Sequence, residues 1–342
     1  MAIVLSLLAA VCALPIRGAS RQESAAPSEP TAPLVLAAAI ELPSVEGRID
    51  HLAVDLARER LFVAALGNDS VEVLDLAAEK HLRSQRGVGE PQGILYLADR
   101  DRIVVASGRA GTCEVYDGET LEKVASVEVG GDADNLRYDP RTKRVYVAYG
   151  EGALGIVDAE AWKLEGAIEL PGHPESFQLD SRGKRAFVNV PDVRGVVLLD
   201  LDARKKLATW RLDEAQSNFP MAIAPSARAG AVDDHLLVGC RAPASLVVRS
   251  CAGGQPLQVL DLSGDTDDIF VDVQRRRVYV ACGEGFVDVF AHEESGLRPL
   301  TKIATAPGAR TCLFVPERNQ LLVAVPHRVT QRAEVRVFEA VD

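Results

Sequence analysis

A glycine-rich segment in the middle of the chain has the spacing of a nucleotide-binding turn. Its sequence, GEGALG from Gly150 to Gly155, matches the Gly-x-Gly-x-x-Gly pattern that holds the pyrophosphate of NAD or FAD. Glu175 follows the last glycine by twenty residues, where such a fold places the acid that binds the ribose. The pattern has this meaning only between a strand and a helix. Here a strand-like segment, IVDAE, follows it, so the sequence argues against a dinucleotide site.

A second set of chemically interesting residues consists of pairs that stand just before short apolar segments. The pairs are Asp50-His51, Gln92-Gly93, Asp134-Asn135, Glu175-Ser176, Pro220-Met221, Asp267-Asp268 and Arg310-Thr311. Carboxylate oxygens suit Ca²⁺ or Mg²⁺, so the acids of these pairs predict a divalent-cation site. The candidate ligands of the cation are Asp50, Asp134, Glu175 and Asp267. The candidate catalytic groups are Glu175, Asp267 and Asp268. Plain solvation of acids at a wet surface is the alternative.

Turns that follow the apolar segments contribute further candidates to the same surface. The complete set of candidate ligand-binding residues is Asp50, His51, Gln92, Asp134, Asn135, Glu175, Asn189, Arg241, Asp267, Asp268, Arg310 and His327. Acids that face one another repel, so a bound cation, a buried arginine or raised pKa values must compensate. Arg310 is the basic member of the seven pairs.

An internal repeat of about 42 residues explains why these pairs recur. RLFVAALGNDSVEVLDL from Arg60 resembles RVYVAYGEGALGIVDAE from Arg144 and RVYVACGEGFVDVFAHE from Arg277. Weaker copies begin at residues 102, 185, 235 and 320, which makes seven copies. Apolar and polar residues alternate within each copy, which is the periodicity of strands. Further short strand-like segments precede and follow each copy.

Four strands per repeat predict an all-β fold, a seven-bladed β-propeller with four-stranded blades. The segment PLVLAAAIELP, from Pro33 to Pro43, resembles the fourth strand of a repeat. The chain ends on EVRVFEAV, which corresponds to a third strand. We therefore expect the N-terminal strand to complete the last blade. The predicted domain spans residues 33–342, and it places the pairs around the mouth of a central channel.

The repeats RVYVAYGEGALGIVDAE and RLFVAALGNDSVEVLDL resemble the YVTN repeat of bacterial YncE-like seven-bladed β-propellers. The resemblance covers about residues 33–342 and rests on a structural motif. It implies the propeller fold and export to the periplasm or beyond. The broader relatives that it implies include surface-layer propellers, lactonase-type hydrolases and the haem d1 domain of nitrite reductases. A shared fold does not choose among such functions.

The N-terminal residues predict export. Ile3 to Pro15 is a short apolar run typical of a signal peptide, and small residues precede a cleavage position after Ser20. We expect a signal peptide at residues 1–20, a disordered linker at 21–32, and a periplasmic or secreted mature protein. No later stretch is apolar enough to predict a transmembrane segment.

The net charge of the chain restricts its partners, and its cysteine content restricts its disulfides. The net charge of −11 argues against bulk nucleic-acid binding, because such binding needs a basic surface. The five cysteines after the signal peptide are widely spaced, so they do not form a disulfide framework. Two readings of them stay open: a single Cys240–Cys251 bridge, or buried reduced thiols.

Three functions fit these observations. The first is an exported binding or interaction propeller of the bacterial cell envelope, whose ligand site is the acidic mouth of the channel. Its partner is a small molecule, a polymer or an envelope protein. The second is a metal-dependent lactonase- or esterase-type hydrolase that uses the channel carboxylates. The third is a propeller that carries non-covalent haem, with His51, His173 and His327 as candidate axial ligands.

Overall fold

The computed structural model describes residues 1, 32–150, 152–227 and 233–342. The chain divides into two units, Met1–Ala32 and Pro33–Asp342, and the second unit contains the strands. The predicted signal peptide (1–20) and linker (21–32) lie outside the described residues, apart from Met1 and Ala32. In the part of the chain that the structure describes, no helix has the length and apolar character needed to cross a membrane.

The described residues form seven antiparallel sheets of four strands each, which are the blades of a β-propeller. The strands of each blade are given from the channel outward. Blade one contains β2 (Leu52–Asp55), β3 (Arg60–Ala65), β4 (Ser70–Asp75) and β5 (Lys80–Arg86). Blade two contains β6 (Pro91–Leu97), β7 (Arg102–Ser107), β8 (Thr112–Asp117) and β9 (Lys123–Glu128). Blade three contains β10 (Leu136–Asp139), β11 (Arg144–Tyr149), β12 (Ala153–Asp158) and β13 (Lys163–Glu169). Blade four contains β14 (Phe177–Leu179), β15 (Arg185–Val190), β16 (Gly195–Asp200) and β17 (Lys205–Arg211). Blade five contains β18 (Gln216–Ala224), β19 (His235–Ala242), β20 (Ala244–Ser250) and β21 (Pro256–Asp261). Blade six contains β22 (Thr266–Asp272), β23 (Arg277–Cys282), β24 (Phe286–Glu293) and β25 (Gly296–Ala304).

Blade seven joins the two ends of the domain. It consists of β26 (Thr311–Val315), β27 (Gln320–Val325), β28 (Glu334–Ala340) and the N-terminal strand β1 (Leu34–Glu41). Strand β1 pairs with β28 in antiparallel register from Leu34 opposite Ala340 to Glu41 opposite Glu334. The expected closure of the last blade by the N-terminal strand is confirmed. Three short 3₁₀ turns complete the described secondary structure, at Leu66–Asn68, Pro191–Val193 and Pro316–Arg318.

The glycine-rich segment GEGALG belongs to a β-hairpin. Gly150 and Gly152 lie between β11 and β12, and Gly155 is inside β12. Gly150 has a φ of 64°, a left-handed conformation that favours glycine. A Cβ atom on Gly152 would come within 2.7 Å of the Leu170 carbonyl oxygen. The glycines therefore serve the turn and its close approach to the neighbouring chain, and the segment continues into a strand rather than a helix.

An aspartate at the end of the inner strand stabilises the turn that follows in several blades. In blade one, Asp55 Oδ1 accepts hydrogen bonds from the backbone N–H groups of Ala57 and Arg58, at 3.1 and 3.2 Å. Its Oδ2 contacts the Arg58 guanidinium at 2.9 Å. Equivalent pairs are Asp139 with Arg141, Asp180 with Arg185, and Asp272 with Arg275. These acids and arginines lie at the end of the inner strands away from the acidic pairs, and their role is structural.

The hydrophobic core lies between neighbouring blades. Each of the apolar clusters joins two blades, as where the Tyr279 and Phe314 rings of blades six and seven lie 5.3 Å apart, centroid to centroid. The described cysteines belong to this buried set and are all free, so Cys240 and Cys251 form no disulfide. Because apolar side chains meet between the blades, the starts of the inner strands are left to polar residues that surround the channel.

Candidate functional site

The mouth of the channel contains a polar cavity of about 250 Å³. Inner strands of all blades begin at this end, so the residues at their starts meet around it. Of the predicted ligand-binding residues, the cavity brings together Asp50, His51, Gln92, Asp134, Asn135, Glu175, Arg241, Asp267 and Arg310. Ser176, the second member of a predicted pair, and His173, a candidate haem ligand, also line it, together with three residues that the sequence analysis did not single out: Arg48, Asp132 and Phe219.

Three predicted residues lie outside this cavity: Asn189, Asp268 and His327. Asn189 is fully buried, and its Nδ2 donates hydrogen bonds to the carbonyl oxygens of Phe219 at 2.9 Å and Pro220 at 3.1 Å. It therefore positions the backbone of blade five rather than facing the channel. His327 lines an adjoining cavity at the rim, where its Nδ1 lies 2.7 Å from Glu46 Oε2.

Blade five departs from the alignment of the sequence. The sequence places Pro220 and Met221 at the channel mouth, but Phe219 lines the cavity instead. Met221 pairs with Val238 of the next strand. In the other blades, the residue that pairs with the equivalent valine is the one directly after the predicted pair. Met221 therefore follows the pair in blade five instead of belonging to it. The sequence alignment was wrong by one residue here, because Phe219, Pro220 and Met221 are all apolar and no polar residue marks the start of the strand.

Two arginines neutralise the acid of blade six. Arg241 Nη2 lies 2.7 Å from Asp267 Oδ1, and Arg310 Nε lies 2.8 Å from Asp267 Oδ2. Arg310 Nη1 also contacts Asp265 Oδ1 at 3.0 Å, and the Arg241 guanidinium stacks on Phe219 at 3.7 Å from the ring centroid. Burial raises the pKa of Asp267 to about 6, against the opposing effect of both arginines. Both carboxylate oxygens of Asp267 are therefore occupied by cationic partners.

His51 lies between two carboxylates. Its Nε2 is 3.6 Å from Asp50 Oδ1 and its Nδ1 is 3.6 Å from Asp268 Oδ1. Asp268 lies behind the cavity lining and also accepts a hydrogen bond from the Cys312 backbone N–H at 2.9 Å. Burial lowers the pKa of His51, but Asp268, Asp50 and Asp134 outweigh it and raise the pKa to about 10. The imidazolium form has no lone pair for a metal or a haem iron, so His51 acts as a cation here.

The acids of blades three and four have no such partner. Burial, followed by the charge of Asp50, raises the pKa of Asp134 to about 7. Burial, followed by the charge of Asp267, raises the pKa of Glu175 to about 7. Neither carboxylate forms a hydrogen bond or ion pair with another described residue. Asn135 is 4% exposed, and its buried Oδ1 also lacks a hydrogen-bond donor among the described residues. Three acceptors without donors therefore line this side of the cavity.

The predicted cation ligands share the cavity but differ in availability. Asp267 binds two arginines, and Asp50 lies beside both His51 and Arg48, whose Nη2 is 3.3 Å from Asp50 Oδ2. Within the described residues, no three His, Cys, Asp or Glu side chains are grouped so that they could hold a metal ion. The carboxylates left for a cation are those of Asp134 and Glu175.

Three lining residues outside the predicted ligand-binding set share one offset. Arg48, Asp132 and His173, the last of which the sequence analysis named only as a candidate haem ligand, each stand two residues before the first member of a predicted pair. Side chains two positions apart on an extended chain point to the same side, so this offset was the signal that could have found them. Arg137, two residues after Asn135, is also close to the acids: burial lowers its pKa, and Asp268 and Asp134 oppose that effect.

Comparison with known proteins adds a fold relationship. A scan against protein-family models finds no match for this chain, and a search of curated proteins finds none either. Among solved structures, the chain is similar to hydrazine synthase of Kuenenia stuttgartiensis, with a TM-score of 0.72 and 13% sequence identity. The match covers 88% of this chain and 97% of that chain. At this identity the likeness shows the fold alone, and the resemblance to YncE-like propellers stays a prediction.

Proposed function

We propose that the protein is an exported β-propeller that binds a small polar ligand in the mouth of its central channel. One observation carries the proposal: Asp134 and Glu175 line the cavity without a partner among the described residues, whereas neighbouring acids are neutralised. A half-buried carboxylate without a partner is costly, and such groups are enriched at sites that bind ligands.

The size of the cavity limits the ligand. About 250 Å³ is smaller than the usual pocket for a drug-sized molecule. It suits a compact molecule, or the end of a polymer or a side chain that a partner inserts. The polar lining favours a ligand that forms hydrogen bonds over an apolar one.

Thermal unfolding of the full chain tests this proposal. A panel of amines, amino acids, monosaccharides, carboxylates and divalent cations is added, one compound at a time. A ligand that binds only the folded state stabilises it by about 2.7 kcal/mol at a hundredfold its Kd. Glu175→Gln should reduce the rise in Tm that the ligand causes, and the exposed control Asp213→Asn should keep that rise. A shift that survives in both Glu175→Gln and Asp134→Asn would place the binding elsewhere.

Export is a separate part of the proposal, and the apolar run before Ser20 supports it. Expression in a Gram-negative bacterium, followed by fractionation and mass spectrometry of the N-terminus, tests it. We expect the mature chain in the periplasm or medium, beginning near Arg21. Recovery of the uncleaved chain from the cytoplasm would contradict export without touching the ligand site.

A metal-dependent hydrolase of lactones or related esters is the second candidate. It is favoured by the pKa of Glu175, which burial raises to about 7, since a general base works best near the pH of the reaction. A lactone panel assayed with and without chelator tests it. Turnover that requires a divalent cation and is lost in Glu175→Gln would support the hydrolase, and the absence of turnover with every cation would remove it.

A further inference from the structure

The charges around the channel mouth are unevenly satisfied. On the side of blades one, six and seven, the carboxylates lie beside His51, Arg241 and Arg310. On the side of blades three and four, Asp134 and Glu175 have no cationic partner among the described residues. This half of the mouth therefore offers negative charge and hydrogen-bond acceptors to whatever enters the cavity.

Asn135 is an independent sign of a ligand. Its side chain is 4% exposed, it lines the cavity, and its Oδ1 has no donor in the described part of the chain. A buried acceptor without a donor costs about 1–3 kcal/mol. Leucine is close to asparagine in size and would fill the same space without this cost. The amide oxygen is thus better explained by a donor that enters the cavity than by packing.

We propose that the channel mouth binds a small organic ammonium ion, whose N–H groups donate to Asp134, Glu175 and Asn135. This inference rests on the proposed function and names its ligand class. A primary ammonium group supplies three N–H donors, one for each of the two carboxylates and the amide oxygen, and its positive charge offsets one of the two negative charges. Charge-assisted hydrogen bonds of this kind are roughly twice as strong as neutral ones.

Other ligand classes fit this half of the mouth less well. Ca²⁺ takes six to eight oxygen ligands and Mg²⁺ demands an octahedron, whereas two carboxylates and one amide supply at most five protein oxygens. An anion would have to displace Asp267 from Arg241 and Arg310, whose contacts with it are 2.7 and 2.8 Å. One face of Phe219 is already covered by Arg241, so that face offers no cation–π site to the ligand.

Isothermal titration calorimetry of the full chain at pH 8 and constant ionic strength tests the inference, with propylammonium chloride as the probe. The comparison compounds are tetramethylammonium chloride, 1-propanol, sodium propionate, CaCl₂ and MgCl₂. We expect propylammonium to bind, and tetramethylammonium, which has no N–H group, to bind at least tenfold more weakly. Glu175→Gln and Asn135→Leu should each weaken the binding of propylammonium at least tenfold, and Asp213→Asn should leave its Kd unchanged.

The outcomes separate this inference from the proposed function. Binding of a divalent cation or propionate, lost in mouth variants, without binding of propylammonium would overturn the ammonium and leave the ligand site standing. Equal binding of tetramethylammonium would overturn the role of N–H donors. Binding of no probe, or binding that ignores every mouth variant, would overturn the ammonium. Failure of the wider compound panel as well would remove the ligand site. Circular dichroism of each variant verifies that it is folded.

Discussion

Replacing Asp134 by asparagine removes one ionisable group from the channel mouth and keeps its size. Burial and the charge of Asp50 raise the pKa of Asp134 from 3.8 to about 7, so the folded chain holds this proton more tightly than the unfolded chain does. Between pH 4 and 7 the unfolded chain has released the proton and the folded chain still binds it. Stability therefore falls as the pH rises through this window, and the full cost is present above pH 7.

The magnitude follows from the size of the shift. A change of about three pKa units at 1.36 kcal/mol per unit sets an upper limit of about 4 kcal/mol. Side-chain rearrangement and water lower the cost in practice, so we expect Asp134→Asn to stabilise the protein by about 2 kcal/mol at pH 8. The gain should vanish near pH 4. For a folded domain of this length, 2 kcal/mol corresponds to a rise in Tm of about 3 °C.

Thermal unfolding of the full chain at pH 4, 6 and 8, at fixed ionic strength and without added ligand, measures the effect. The control is Asp213→Asn, because the side chain of Asp213 is 85% exposed and its loss changes only the overall charge. A Tm difference that does not grow with pH relative to this control would refute the reasoning. A loss of stability at pH 8 would show that the Asp134 carboxylate already has a stabilising partner.

Three further predictions concern the surroundings of the mouth and the closure of the ring. His51→Gln should cost about 3 kcal/mol in urea unfolding at pH 6, because Asp268 then loses the imidazolium and Asp50 keeps only Arg48. The pKa of His51 is raised from 6.5 to about 10, so its contribution is complete below pH 6.5, and the difference should shrink as the pH approaches 10. Asn189→Ala should cost about 2 kcal/mol at every pH, since it leaves the buried carbonyls of Phe219 and Pro220 without their donor. In strand β1, Ile40→Ala should lower the free energy of unfolding by about 3 kcal/mol, because Ile40 is 1% exposed. The control Val35→Ala, at a 43% exposed position, should change it by less than about 0.5 kcal/mol. Equal effects would mean that β1 does not hold the last blade together.

The fold was accessible from the sequence because each blade repeats the same alternation. Segments such as RVYVA carry apolar residues at positions that face the neighbouring blades, and the structure places them in β11 and β23. Strand β1 was predictable for the same reason, since PLVLAAAIELP resembles a fourth strand and the chain ends on a third. Alternation defines strands, their order and the number of blades without any knowledge of the site.

The membership of the site was largely accessible too, because register decides which residues meet at the mouth. Asp50, Asp134, Glu175 and Asp267 stand at one position of the repeat and line one cavity. Register failed where the local sequence carries no polar marker, so Phe219 was missed. It also gave no warning that Asn189 turns away from the channel to hold the backbone of blade five.

The pairing of charges could not be read from the repeat, and it is the feature on which the proposed function depends. Asp267 and Glu175 occupy equivalent positions, yet Asp267 meets two guanidinium groups because Arg241 and Arg310 come from blades five and seven. Glu175 and Asp134 form no ion pair with a described residue, although the charge of Arg241 opposes the rise in the pKa of Glu175 and that of His51 opposes the rise in the pKa of Asp134. Burial raises the pKa of both carboxylates to about 7, above the value near 4 of a carboxylate in water. The asymmetry of the mouth therefore comes from side chains on a nearly symmetric backbone. The proposed ammonium ligand would therefore enter beside blades three and four.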